Sequence, residues 1–178
     1  MRPFCIWMFC AAALLFVGCE EKTMPSVSST LDSRTLPQQE SWNSTIVVSD
    51  SGRISAIIVA GYICVYELSQ QTLMSQGVKV RFFNREGKQT SVLTSDEGTV
   101  DEVNNNLEAR KNVVVVSSDS SRMTTEQLFW DNQRQLIYTP LYVQIKTVKE
   151  KMQGHGFESD QSLKNYRVFR VTGQTQAK

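Results

Sequence analysis

Val78-Lys79-Val80-Arg81-Phe82 is the stretch on which the reading of this chain turns. Apolar and charged residues alternate through it, so a strand puts Val78, Val80 and Phe82 on one face and Lys79 and Arg81 on the other. One apolar face opposite one charged face belongs to an antiparallel sheet packed on a single side. Working outward, Gly77 precedes the run and Asn84-Arg85-Glu86-Gly87 closes it with turn residues. The cadence recurs along the chain. Thr45 to Val48 precedes Ser49-Asp50-Ser51-Gly52, Arg53 to Ala60 precedes Gly61, and Tyr62 to Glu67 precedes polar residues. Val113 to Val116 precedes a Ser-rich turn, and Leu141 to Val148 precedes a charged turn and then Gly154-His155-Gly156. Short strands punctuated this regularly predict an all-β sandwich or barrel.

Val143 and Ile145 against Gln144 and Lys146 repeat the alternation, while Val113 to Val116 is apolar on both faces and reads as a more central strand. Two segments also satisfy a helix capping box, Thr99-Val100-Asp101-Glu102 and Thr124-Thr125-Glu126-Gln127. Strands are favoured for both. Asn104-Asn105-Asn106 would fall inside the first helix, and Asp131-Asn132 reads as a hairpin turn after the second segment. Leu93-Thr94-Ser95-Asp96 and Met123-Thr124-Thr125-Glu126 echo each other thirty residues apart, and Phe157-Glu158-Ser159-Asp160 is a looser third echo. The expectation is a strand unit laid down repeatedly, with apolar leads inward and acids outward or in turns.

The 178 residues suffice for one domain with a core. With 19 basic and 18 acidic residues and no basic block, nucleic acid is not expected as a partner. The single histidine, His155, has no Cys or His at metal spacing, so neither metal nor other cofactor is expected. No nucleophile elbow or phosphate loop occurs, and the paired acids Asp96-Glu97 and Asp101-Glu102 read as solvated turn residues, so no catalytic residue is assigned. Asn43-Ser44-Thr45 matches a glycosylation acceptor, to which a bacterial leader gives little meaning.

Arg2 followed by the apolar run Cys5 to Val17 reads as a secretory leader over residues 1–18. As a helix the run spans about 20 Å, short of a hydrocarbon core of roughly 30 Å. Leu15-Phe16-Val17-Gly18-Cys19 resembles a bacterial lipobox, with Phe16 where Leu is usual; the resemblance implies cleavage before Cys19 and acylation of its thiol. The Ser-, Thr-, Pro- and Gln-rich residues to about 40 read as a tether, 41–173 as the folded domain and 174–178 as a polar tail. Cys64, left alone once the leader is removed and Cys19 acylated, reads as a small buried apolar residue.

Val92 to Gly98, Leu107 to Val115, Met123 to Asp131 and Gly154 to Glu158 resemble, in that order, the LptC family and the wider group of LptA and OstA-type repeats. No one motif is specific; their order over about Ser49 to Gly173 is. The resemblance implies a twisted β-jellyroll of short antiparallel strands, open at both ends. It implies a non-catalytic component of lipopolysaccharide export on the periplasmic face of the inner membrane. Such a protein receives lipopolysaccharide from the ABC transporter LptB, LptF and LptG and passes it to an LptA-like protein through edge-strand docking. One departure is Lys111, where the family usually has Gly before the Asn-Val step. The other is a lipid on Cys19 in place of an uncleaved membrane helix. The glycines to which the family is sensitive correspond to Gly52 and to Gly154 or Gly156.

An acyl groove in such a jellyroll is lined by the inward faces of its strands, here Ile58, Val80, Phe82, Val115, Trp130, Val143 and Ile145. The same residues would equally form the core of a closed sandwich, in an envelope lipoprotein with a structural or adhesive role and no transport.

Overall fold

The computed structural model describes residues 36–50 and 52–176, and every regular element among them is a strand. In chain order these are β1 (Gln39–Asp50), β2 (Arg53–Tyr66), β3 (Gln71–Phe83), β4 (Gln89–Ser95), β5 (Glu97–Asp101), β6 (Asn106–Ser117), β7 (Arg122–Asp131), β8 (Leu136–Lys146), β9 (Glu150–Ser159) and β10 (Tyr166–Gln176). They form one antiparallel sheet in the order β1-β2-β3-β4-β6-β7-β8-β9-β10, with β5 bridging β3 and β6. Both capping-box segments are strand, because the apolar faces of β5 and β7 find partners across the sheet that an isolated helix would lack.

The sheet does not run flat. Pairing slips between Ala60 and Tyr62, between Arg110 and Val113, between Thr124 and Phe129, and between Thr139 and Tyr142. These breaks line up across neighbouring strands. β4 and β5 are one strand interrupted at the same line, at Asp96, and each half pairs with its own half of β3 and of β6. The backbone turns left-handed along this line at Gln76, Gly77, Lys111, Asn112 and Gly156. Gly77 N–H donates to the Asp96 carbonyl at 3.3 Å, Asp96 N–H to the Lys111 carbonyl at 3.1 Å, and the Asn112 amide to the Asp96 carboxylate at 2.7 Å. Aligned bulges bend every strand at one level, so the sheet doubles over along a crease.

The result is two leaves. The front leaf holds residues 44–50, 52–60, 77–95, 112–125, 141–155 and 171–176; the rear leaf holds 36–43, 62–76, 97–111, 126–140 and 156–170. Phe82 on the front leaf and Trp130 on the rear leaf bring their ring centroids to 6.1 Å, although β3 and β7 are not neighbours in the sheet. A single apolar core fills the fold between the leaves, from Ile58 and Val80 through Leu93, Val115 and Met123 to Val143 and Phe157. All of it lies within the unit Ser33–Lys178, which therefore carries its own core and can fold by itself.

Val78, Val80 and Phe82 are buried and Lys79 faces outward, as alternation requires. Val113 and Val115 point in, and Val114 and Val116 lie half-exposed on the outer face of a mid-sheet strand. Leu93 and Met123 sit in one cross-strand row through Val115, so the first two echoes are equivalent and their leads are fully buried. The third echo is not equivalent. Phe157 lies in the rear leaf opposite Thr139, because the chain has already crossed the crease when it reaches that position. The ordered sheet also exceeds the expected limits of 41–173: Gln39 pairs with Val65, and Gln174 to Gln176 pair with Met152, Lys151 and Glu150. Polar residues join an edge strand without cost because their side chains stay in water. The lipobox and Cys19 lie outside the described residues.

Candidate functional site

Each leaf ends in a lip of hairpins, and the mouth between the lips opens into a cavity of about 430 Å³. Its walls are Ile58, Val80 and Phe82 from the front leaf and Val100, Leu107 and Trp130 from the rear. The rim is uncharged, with Ser49 and Ser55 on one lip and Asn105, Asn132, Gln135 and Gln161 on the other. A hollow of about 600 Å³ also lies on the outer side of the crease, near Pro140, Tyr142 and His155. That one is a furrow left by the bulges on the outer surface, so the cleft between the leaves, which reaches the apolar core, is the better candidate site.

All seven residues expected to line a groove are buried in the one core. Four of them, Ile58, Val80, Phe82 and Trp130, reach the cavity; Val115, Val143 and Ile145 lie in the same layer of side chains but are not among its walls. Sequence reasoning missed Val48, Ala56, Val100 and Leu107. The alternation that found Ile58 would have supplied Ala56, which shares its face. Nothing in the sequence marked the rim amides, because Asn and Gln at hairpin ends read as ordinary turn residues. The buried hydroxyls of Ser91 and Ser159 have no hydrogen-bond partner among the described residues, and both face the interior beside the lips.

Toward β10 the lips are fastened. Tyr166 on the rear leaf donates its hydroxyl to Glu150 on the front leaf at 2.6 Å, and the Gln174 amide donates to the same carboxylate at 2.7 Å. Burial, then the bond to Glu150, pushes the Tyr166 phenol up to about 12. The Tyr166 bond, then that from Gln174, holds the Glu150 carboxyl below its usual range. At the far edge Tyr62 donates to Glu40, binding β1 to β2; hydrogen bonding with Cys64 and then Glu40 raises that phenol too. Cys64 is buried, as read from its neighbours.

The three glycines occupy different environments. Gly52 lies in the β1–β2 turn at φ +78 with open space where a side chain would go. Gly156 lies on the crease at φ +79 with Phe169 against it. Gly154 has an ordinary backbone, but a Cβ there would sit 2.3 Å from the Arg170 carbonyl oxygen. Lys111 holds φ +63 where a glycine would be unstrained, and its ammonium pairs with Glu97 at 2.7 Å, which, ahead of all other influences, keeps that carboxyl low. His155 stands on the outer face with its ring edge to Tyr142 at 5.3 Å, and no group of potential metal ligands forms among the described residues.

A family model described as lipopolysaccharide-assembly, LptC-related, matches residues 6–176. The chain belongs to the LptC-related family. The likeness read from Val92–Gly98 and Met123–Asp131 is thus borne out. As an LptC-related protein the chain takes a non-enzymatic part in lipopolysaccharide transport. No curated protein matches it. One similar solved structure is LptH, the LptA homologous periplasmic component of the conserved lipopolysaccharide transport device from Pseudomonas aeruginosa. It is 11% identical, the match covers 79% of this chain and 87% of that one, and the TM-score is 0.29.

Proposed function

We propose that this LptC-related chain accepts lipopolysaccharide from the inner-membrane transporter formed by LptB, LptF and LptG and hands it to an LptA-like protein. Its acyl chains would lie between the two leaves. The observation that carries this reading is the apolar interior that stays open between the lips, walled by Phe82 and Trp130. An acyl chain of about a dozen carbons costs on the order of 10 kcal/mol to expose to water. An open apolar cleft offsets that cost without any chemistry. Among the described residues β1 and β10 are the two edges of the sheet, each able to accept a further strand from a neighbouring protein. In this reading residues 1–18 are a leader, Cys19 carries the lipid, residues up to 40 tether the domain, and the protein works on the periplasmic face of the inner membrane.

A photo-reactive residue placed at Phe82 tests the reading against one placed at Lys79, which faces outward on the same strand. Ultraviolet exposure of living cells is expected to attach lipopolysaccharide at position 82 and none at position 79. Capture of nothing at 82, with only proteins captured at 79, would leave a structural or adhesive lipoprotein as the better account.

A further inference from the structure

Formal charge over the whole chain is +1, yet the fold sorts it. The front leaf carries nine basic and four acidic residues, the rear leaf six and ten, counted over the segments given above. The division persists in net charge at the lips, although the front-lip hairpins also carry Asp50, Glu86, Asp119 and Glu150, and the rear-lip hairpins Arg134 and Lys164. Each front-lip hairpin bears or adjoins a cation: Arg53, Arg85 with Lys88, Arg122, and Lys149. Each rear-lip hairpin bears or adjoins an acid: Glu67, Asp101 with Glu102, Asp131, and Asp160. Outside its uncharged rim, the mouth therefore lies between a net basic lip and a net acidic one.

The front-leaf cations are also unpaired among the described residues. The four ion pairs found there all use Arg110, Lys111 or Arg134, which belong to the rear leaf. Arg122 lies directly opposite Lys146, and Lys146 directly opposite Lys151, on one exposed face. Like charges facing each other across strands destabilise a sheet, so this row opposes folding and calls for an anion outside the chain. The two nearest acids are engaged elsewhere. Asp119 accepts from the Ser117 hydroxyl and the Ser121 amide, and Glu150 accepts from Tyr166 and Gln174.

A strongly exposed apolar side chain stands at the end of this cation row. The β8–β9 hairpin is held tight by Thr147, whose hydroxyl accepts from the Lys149 and Glu150 amides, and it presents Val148 with 76% of its surface exposed. Val47 and Val59 are exposed on the same outer face of the front leaf. Cations surrounding outward apolar residues match a bilayer interface, where lysines meet phosphate and a valine reaches past the headgroups.

We infer that the front lip docks on an anionic phospholipid surface, setting the mouth beside the bilayer with the acidic lip turned away. This docking uses the outer face alone and is independent of what the interior carries.

The fragment Ser33–Lys178 is mixed with lipopolysaccharide-free vesicles of phosphatidylglycerol and phosphatidylethanolamine, or of phosphatidylcholine, and sedimented. Binding is expected to the anionic vesicles only and to weaken with salt. The combined variant Arg122→Gln, Lys146→Gln, Lys151→Gln is expected to bind on the order of a hundredfold more weakly, about fivefold per charge removed. It should melt no lower than the parent, because it relieves repulsion. Val148→Ser is expected to bind a few-fold more weakly, and Arg134→Gln with Lys164→Gln, on the other lip, to bind as the parent does. Equal binding to both vesicle types, or unchanged binding by the triple variant, overturns the inference. So does salt-sensitive self-association without vesicle binding, which would mean that the basic lip meets the acidic lip of a second copy.

Discussion

Gly154→Ala is the substitution whose cost can be worked most directly from the geometry. The added Cβ would stand 2.3 Å from the Arg170 carbonyl oxygen and 2.7 Å from a Val168 methyl. Ordinary contacts lie near 3.5 Å, so β10 must recede by about 1 Å. That movement stretches the hydrogen bonds between His155 or Gly154 and their partners Arg170 and Val171 beyond useful length. Two or three bonds at about 1 kcal/mol each make the loss about 2–3 kcal/mol. Gly52→Ala is the control. Its backbone is left-handed but its surroundings are open, so only the conformational penalty of about 1 kcal/mol applies. For a unit of this size, 1 kcal/mol corresponds to about 3–4 °C in Tm. Thermal unfolding should therefore show a drop of about 3–4 °C for Gly52→Ala and about 8–10 °C for Gly154→Ala. Hydrogen exchange should show the β10 amides opening first. A Gly154→Ala protein that melts no lower than Gly52→Ala, with β10 still protected, would refute the packing argument.

Tyr166→Phe keeps the stack on Phe157 but removes the bond to Glu150. Proteolysis or exchange should reveal looser lips on the β10 side, with a loss of about 1 kcal/mol seen by denaturant titration. Lys111→Gly relieves a left-handed lysine and gives up only an exposed pair with Glu97, so Tm should rise by about 2–4 °C. Stability should also depend on pH at both extremes. Glu97, Asp119, Glu150 and Asp160 all titrate lower in the folded state; at Asp160 burial opposes this and the bonds from Ser162 and Asn165 outweigh it. The unfolded chain thus binds more protons in acid, and stability should fall as pH drops below about 4. Tyr166 titrates higher when folded, at about 12, so a second loss should appear as pH rises from about 10 to 12 and be smaller in Tyr166→Phe. Urea midpoints measured across pH check both signs.

The strands and their inward faces were legible because alternation in Val78–Phe82 and in Val143–Lys146 is a local signal that burial confirms. The turns after Phe83 and Val116 were legible for the same reason. What could not be read was the level at which the sheet bends. Gly77 and Gly156 mark it, but Gln76, Lys111 and Asn112 bend there without glycine, and Lys111 and Asn112 are held by bonds to Glu97 and Asp96 that join residues far apart in sequence. Without the crease, nothing brings Phe82 to Trp130, and the cavity walls cannot be separated from the deeper core at Val115, Val143 and Ile145. Charge sorting was hidden similarly, since the long strands cross from one leaf to the other and their charges average out along the chain.

The order of the sheet bears on how such a chain acquires its length. Apart from the β4–β5 interruption, each strand pairs only with its neighbours in sequence. Stability in such an arrangement is close to a sum of adjacent-strand terms, as in linear repeat arrays. One echo, from Leu93 to Met123, advances the pattern by two strands, which is one full out-and-back excursion across both leaves. Inserting or deleting such an excursion would lengthen or shorten the protein along its axis while leaving the cross-section intact. Evolution could thus resize the fold by tandem duplication of about thirty residues, without redesigning the rest.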